Sequence, residues 1–376
     1  MLTFWQLFSV LCITNKLIKR LEQALSYAVK QKKVIIFFSA GLGDAVLLIP
    51  LARSLKKQGF KVDGLFNSPF PCEDIFKNSG ILDNIIVCGS KFKQSLFVLT
   101  HISSYEKVFL NYFSANRANL ATACLIGKNV HTNRKINSRA WNLFGSRIHF
   151  TEPVLHIHDA EQNLRLIGET RSLSLEDLRI EFTKKEVKQL PSSFIAVQLS
   201  AGNNKAPYKN WPLSHWAEFL RATLNTHPEK KIILLGDDQE TGLSQQVQKD
   251  LGERIISFTG KTTVSEVMNI LANCEFFIGL DGGLMHLAAA LGKPTFTIWG
   301  STDPVLYGYE KINTHMHRCV SLKLSCSPCS AWINPNTSRV SSPALCPDLA
   351  CLRDLNPKMV LEQFSFFVKS LPAHAG

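Results

Sequence analysis

Asp281, Gly282, Gly283 and His286 combine the residue types that hold a phosphorylated ligand. An apolar run, Phe276 to Leu280, precedes them and predicts a buried strand. Gly292 and Pro294 stop the helix that follows, and Thr295 to Trp299 predicts the next strand. Asp281 is placed to cap that helix, and the two glycines leave its first turn bare. First-turn amides point outward, and the helix dipole favours an anion there. His286 lies one turn further in, on the face shared with Gly282 and Gly283. It therefore points at whatever sits on them. The plainer readings are a tightly packed capped helix and a hydrogen-bonded core histidine.

Three other strand ends carry chemistry. Gly41-Leu42-Gly43-Asp44 follows the apolar run Lys33–Phe38 as a phosphate-binding type of turn. It begins like a dinucleotide fingerprint, but no third glycine arrives in place and no acidic residue ends a second strand. Asp44 either caps its helix or stands at a cleft edge, where a carboxylate can take a proton from a hydroxyl. Lys209, in Lys205-Ala-Pro-Tyr-Lys-Asn-Trp-Pro, is pinned by Trp211 and Pro212 and can face a fixed anion. Asp237, Asp238 and Glu240 follow the run 231–235 and can accept hydrogen bonds from a ribose, or serve as surface charge. Cys326-x2-Cys329 and Cys346-x4-Cys351 have a spacing that tetrahedral zinc permits, although reduced thiols or packing cysteines serve as well.

Alternating apolar runs and helical stretches must position these loops. The chain of 376 residues is long enough for two domains. Residues 33–165 read as a first α/β unit and 166–190 as a charged, helical connector. Residues 191–356 read as a second unit with a cysteine-rich loop at 319–351, and 357–376 as a helix crossing back to the first. Pro50 must kink the helix 45–58. Every motif loop follows a strand, and ligands of doubly wound sheets sit at the carboxyl ends of strands. Two facing units would then close a cleft between them.

Composition bounds the partners. The net charge of +12 favours an anion: a phosphorylated substrate, a lipid headgroup or nucleic acid. Ten cysteines without a cleavable signal peptide point to a reducing cytosol. Residues 1–13 are mostly apolar, with Lys16, Lys19 and Arg20 after them. That order of charge is wrong for a signal peptide, and the run is too short to span a bilayer. Residues 2–30 predict an amphipathic helix. It either lies on the inner face of the cytoplasmic membrane as a peripheral contact or packs on the protein body.

With these residues assembled, the chain resembles glycosyltransferase family 9, the lipopolysaccharide heptosyltransferases, over nearly all of 33–370. The strongest part is Asp281-Gly-Gly-Leu-Met-His-Leu-Ala-Ala-Ala-Leu-Gly-Lys-Pro with Gly300-Ser-Thr-Asp-Pro. Gly43-Asp44, Lys209-Asn-Trp-Pro, Leu235-Gly-Asp, Thr259-Gly-Lys-Thr and the Cys326-Ser-Pro-Cys tail keep the family's order. The resemblance implies an α/β GT-B fold, two Rossmann-like doubly wound domains facing a cleft. It implies inverting, metal-independent transfer of heptose from ADP-heptose to a phosphorylated glycolipid, the lipid A–Kdo inner core or a heptosylated form of it. No cofactor is implied. Asp44 would then be the general base, with Gly41 and Gly43 in its loop. Lys209, Asp281, Gly282, Gly283, His286, Asn204 and Asp238 would hold the donor. The chain departs from the family at Gly282, where a small hydroxyl residue is usual, and at Asn203, Asn204 and Lys205, where hydroxyl residues precede the loop lysine.

Other readings keep the transferase but change the nucleotide sugar or the acceptor. A non-catalytic binder of nucleotide sugars or nucleic acid would use the charge and a zinc knuckle. The sequence lacks the interleaved aromatic and basic residues of a base-stacking surface, which speaks against nucleic acid. An NAD-dependent oxidoreductase is disfavoured by the incomplete fingerprint.

Overall fold

The computed structural model describes residues 31–67, 71–185, 190–201 and 206–372. The 2–30 helix expected from sequence, and Asn204, lie outside these residues. Two six-stranded parallel sheets organise the chain. The first holds β1 (Lys33–Phe38), β2 (Lys61–Phe66), β3 (Asn84–Val87), β4 (Tyr105–Leu110), β5 (Gly127–Thr132) and β6 (Ile148–Phe150), in the order β3-β2-β1-β4-β5-β6. The second holds β7 (Phe194–Gln198), β8 (Lys231–Leu235), β9 (Ile255–Ser257), β10 (Phe277–Leu280), β11 (Thr295–Trp299) and β12 (His317–Ser321). Its order, β12-β11-β10-β7-β8-β9, is the same pattern read from the other edge. This is the doubly wound arrangement, and strand order reverses at β1/β4 and β7/β10. The loops after β1, β7 and β10 therefore open at the two crevices where such sheets hold ligands.

Helices cover both faces of each sheet, which is why the middle residues of β1, β7, β8 and β10 are apolar. In the first unit these are α1 (Leu42–Leu47), α2 (Ile49–Lys57), α3 (Lys91–Thr100), α4 (Arg117–Ile126) and α5 (Arg139–Phe144). Leu48 breaks α1 from α2, and Pro50 sits in the first turn of α2, where its missing N–H costs nothing. Then come α6 (Asp159–Leu164) and α7 (Leu175–Leu178). Among the described residues the charged connector is mostly irregular, and its α-helix there is the short α7, capped by Ser174. The second unit adds α8 (Leu213–Thr226), α9 (Thr241–Leu251), α10 (Val264–Asn273), α11 (Gly283–Ala290), α12 (Pro304–Tyr307), α13 (Ala350–Arg353) and α14 (Pro357–Ser370).

One apolar cluster joins the units: Val46 and Leu47 of α1, Leu178 of α7 and Met285, Leu287 and Ala288 of α11 share it. The Ile180 amide donates to the Ala290 carbonyl at 2.8 Å and ties the connector to α11. The C-terminal helix differs from expectation. Val360, Phe364 and Phe367 of α14 pack on the second sheet and α8, with Phe364 edge-on to Phe219 at 5.3 Å. Among the described residues no helix is long and apolar enough to cross a membrane.

Candidate active site

The carboxyl ends of β1 and β10 bring two helix starts face to face. Gly43 of α1 and Gly283 of α11 permit the approach. A Cβ on Gly283 would stand 3.0 Å from Leu42 Cβ, and one on Gly43 would stand 2.5 Å from His286 Cδ2. Between the sheets lies a cavity of about 780 Å³, a size that suits a nucleotide-sized ligand. Gly41, Gly43 and Asp44 line one side, and Lys209, Asp281, Gly282, Gly283 and His286 line the other. Eight of the residues singled out from the sequence thus share one cleft.

Asp44 is the third residue of α1, and one of its oxygens reaches back to the start of the helix. The Gly41 N–H donates to Asp44 Oδ2 at 3.0 Å, so the capping expectation and the cleft expectation hold together. Desolvation lifts its carboxyl to about 6 against the pull of that bond and of Lys209. Asp44 is therefore a base of moderate strength, ionised at neutral pH.

Across the cleft, the Lys209 ammonium donates to Asp281 Oδ2 at 2.7 Å. Burial alone would raise the Asp281 carboxyl, but Lys209, His286 and a hydrogen bond with Thr302 hold it below its usual range. Burial would likewise lower Lys209, but Asp281 outweighs it and holds the ammonium charged. Asp281 does not cap α11. Gly282 takes the N-cap position, and no side chain covers the helix start. Asp281 is instead drawn to Lys209, because an ammonium is a stronger partner than a backbone amide. His286 Nδ1 pairs with the Tyr309 hydroxyl at 2.7 Å, and its Nε2 stands 3.9 Å from Asp281 Oδ1. Desolvation lowers this imidazole to about 4, so it is neutral at pH 7.

Beyond the strand end of β8, Asp237 and Glu240 line the cavity. Asp238 is exposed and is not part of the lining, because α9 is preceded by a short turn that directs it to solvent. Glu240 is buried, and neither carboxyl oxygen has a partner in full hydrogen-bond geometry. Burial and then Asp237 lift it to about 8, with Gln198 and nearby amides tempering the shift. Such a group can take a further partner from a bound ligand or a water in the cleft.

The family sequence pattern of glycosyltransferase family 9 (heptosyltransferase) matches residues 157–337. Lipooligosaccharide heptosyltransferase 2 of Campylobacter jejuni is 22% identical over 347 residues, which cover 90% of this chain and 99% of that protein. By the pattern match the second half of this chain is similar to glycosyltransferase family 9. Lipooligosaccharide heptosyltransferase 2 of Haemophilus influenzae is 30% identical over 105 residues, so this chain spans 30% of that relative's length. The solved structure of Escherichia coli heptosyltransferase WaaC with ADP-2-deoxy-2-fluoro heptose superimposes with a TM-score of 0.58. The match has 19% identity and covers 89% of this chain and 99% of that one. At that identity the likeness bears on the fold, and it agrees with the GT-B arrangement of two facing doubly wound units.

Sequence reasoning missed a second buried carboxyl near Asp44. Asp159 begins α6 and accepts from Trp332 Nε1 at 3.0 Å and Asn163 Nδ2 at 3.4 Å. Burial, then the charge of Asp44, raises it to about 7. Trp332 comes from the cysteine-rich loop and stacks on Tyr112 of the first unit at 4.2 Å between ring centroids. The signal was weak: His158 and Asp159 read as an ordinary helix start, and a tryptophan between cysteines has no spacing rule. The zinc reading of Cys326, Cys329, Cys346 and Cys351 is not supported. The four line one small void, but among the described residues no group of three or more His, Cys, Asp or Glu is arranged to hold a metal ion. Burial, with the neighbouring cysteines, raises the Cys329 thiol and lifts Cys351 to about 11. Cys346 instead donates to Asp348 Oδ1 at 3.7 Å.

Proposed function

We propose that this cleft transfers a heptose from ADP-heptose to the phosphorylated inner core of lipopolysaccharide, with inversion at the anomeric carbon. The observation that carries the reading is the opposition of Asp44 to the Lys209–Asp281–His286 group across one cavity. Asp44 takes the proton of the acceptor hydroxyl as its oxygen attacks the anomeric carbon. The bond from that carbon to the diphosphate breaks, and the charge gathers on the departing ADP. Lys209 and the uncapped start of α11 receive that charge, acting where it develops rather than on the ground state. Asp281 accepts hydrogen bonds from sugar hydroxyls. Neutral His286 offers Nε2 to sugar or phosphate. Glu240 and Asp237 bind the ribose. Because a fixed ammonium and a helix dipole neutralise the leaving group, transfer proceeds without a metal ion. The reaction takes place at the cytoplasmic face of the membrane, where a lipid-linked acceptor meets a soluble donor.

Support for the donor comes from the WaaC complex, whose ligand is an ADP-heptose analogue. The test is calorimetric titration with ADP, UDP and GDP in EDTA and then with magnesium. Micromolar ADP binding in EDTA, weakened by Lys209→Ala and unchanged by Asp44→Ala, is the expected result. Preference for UDP or GDP would keep the transferase and replace its sugar. Loss of binding in EDTA would overturn the metal-independent mechanism.

A further inference from the structure

The helical layer on the outer face of the first sheet is built unlike the rest of the surface. α3 shows Phe92, Leu96 and Leu99 on one stripe, at helical spacings of four and three residues. They are 78%, 54% and 71% exposed. The opposite side of the helix is satisfied: Phe97 is buried against His101, and Gln94 Nε2 donates to Thr122 at 3.1 Å. Ile102, in the turn after α3, is also exposed, and α5 exposes Leu143, 76% accessible, in the same layer. From residue 88 to 147 the chain has nine lysines and arginines and a single acidic residue, Glu106. Lys128 pairs with that glutamate, whereas Lys93, Arg117 and Arg139 are exposed. Soluble surfaces seldom show large aromatic and aliphatic side chains in a row. A row bordered by cations with almost no acid has the composition of an interfacial helix, whose apolar edge enters the headgroup region while the cations meet phosphates.

We propose that α3, with its neighbours α4 and α5, docks on an anionic lipid bilayer. α3 starts three residues after β3, at the strand edge that also carries Gly41–Asp44. A membrane held against α3 thus runs beside the cleft mouth and presents a lipid-linked acceptor to Asp44. That purpose rests on the transfer reading; the docking itself does not, and its test needs no turnover.

The experiment is flotation of the full chain with phosphatidylglycerol–phosphatidylethanolamine vesicles and with phosphatidylcholine vesicles. Binding to the anionic vesicles, at least about tenfold weaker on the neutral ones, is expected. The triple variant Phe92→Ser/Leu96→Ser/Leu99→Ser should lower partition about tenfold or more while ADP affinity and melting temperature stay unchanged. Lys93→Glu/Arg117→Glu should weaken binding to the anionic vesicles alone. Wild-type partition by both variants would overturn the proposal and move any membrane contact elsewhere, residues 2–30 included. So would a dimer in sedimentation that the triple variant dissociates without affecting flotation. Docking without heptose transfer would leave this proposal standing and count against the function instead.

Discussion

Replacing Gly43 by alanine perturbs the cleft where the two units touch. The added Cβ would stand 2.5 Å from His286 Cδ2 and 3.2 Å from its Nε2. Ordinary van der Waals contact begins near 3.4 Å, so the shortfall is about 0.9 Å. The imidazole cannot swing away freely, because Nδ1 is fixed to Tyr309 at 2.7 Å and the ring is buried edge-on to that tyrosine. Either α1 and α11 separate or the His286–Tyr309 pair breaks. Overpacking of this kind costs roughly 1–3 kcal/mol. If closure of the cleft is needed for the transition state, that cost becomes a fall in kcat of roughly 5- to 150-fold. A misplacement near 1 Å between base and donor site is consistent with the upper end. The assay is steady-state transfer to a soluble inner-core acceptor, with ADP affinity measured beside it. ADP binding should change by no more than a few-fold, since Lys209 and the start of α11 stay in place. Wild-type kcat and KM would mean that this contact is not part of the working geometry.

Four side chains give further tests. Asp159→Asn should raise stability at pH 8 relative to pH 4, read from melting temperatures. The carboxyl is held at about 7 in the folded protein against an ordinary 3.8, so the folded state binds the proton more tightly and stability falls as pH rises between those values. The gain is bounded at about 4 kcal/mol. Trp332→Ala removes the bond to Asp159 and the stack on Tyr112, and should raise the acceptor KM several-fold with little change in ADP affinity. Equal changes in both would refute a role on the acceptor side. Glu240→Ala should weaken ADP about tenfold or more in calorimetry while leaving inorganic diphosphate binding unchanged. Lys209→Met should weaken both ligands.

The sequence revealed most of what lies at strand ends and little of what crosses between units. Apolar runs marked β1, β8, β10 and β11, because strands buried on both faces carry little polar interruption. β2 was obscured by Asp63 and Gly64. In the fold Asp63 accepts from the Tyr105 hydroxyl at 3.1 Å and from Asn84 at 2.7 Å, and Gly64 makes room for Leu82 and Phe66. β12 was missed for the same reason: His317 and Arg318 are polar, and their partners Thr295, Glu310 and Gln363 are brought to them by the tertiary structure. In the site, Asp44, Lys209, Asp281 and His286 were legible because glycines and prolines fix their loops. Asp159 and Trp332 were not, since their meaning arises only when a loop of the second unit meets a helix start beside the first. The spacing could not separate Asp238 from Glu240, because side-chain directions in a one-turn element do not follow from it.

The most direct test of the account is the pH dependence of kcat/KM for the wild type and for Asp44→Asn. In the wild type kcat/KM should plateau above about pH 7 and fall tenfold per pH unit below about 6, where desolvation places the Asp44 carboxyl. The asparagine variant should lose about a thousandfold in kcat and keep its ADP affinity. An acid limb that stays in place in Asp44→Asn, or a variant retaining more than about a tenth of the activity, would contradict Asp44 as the base.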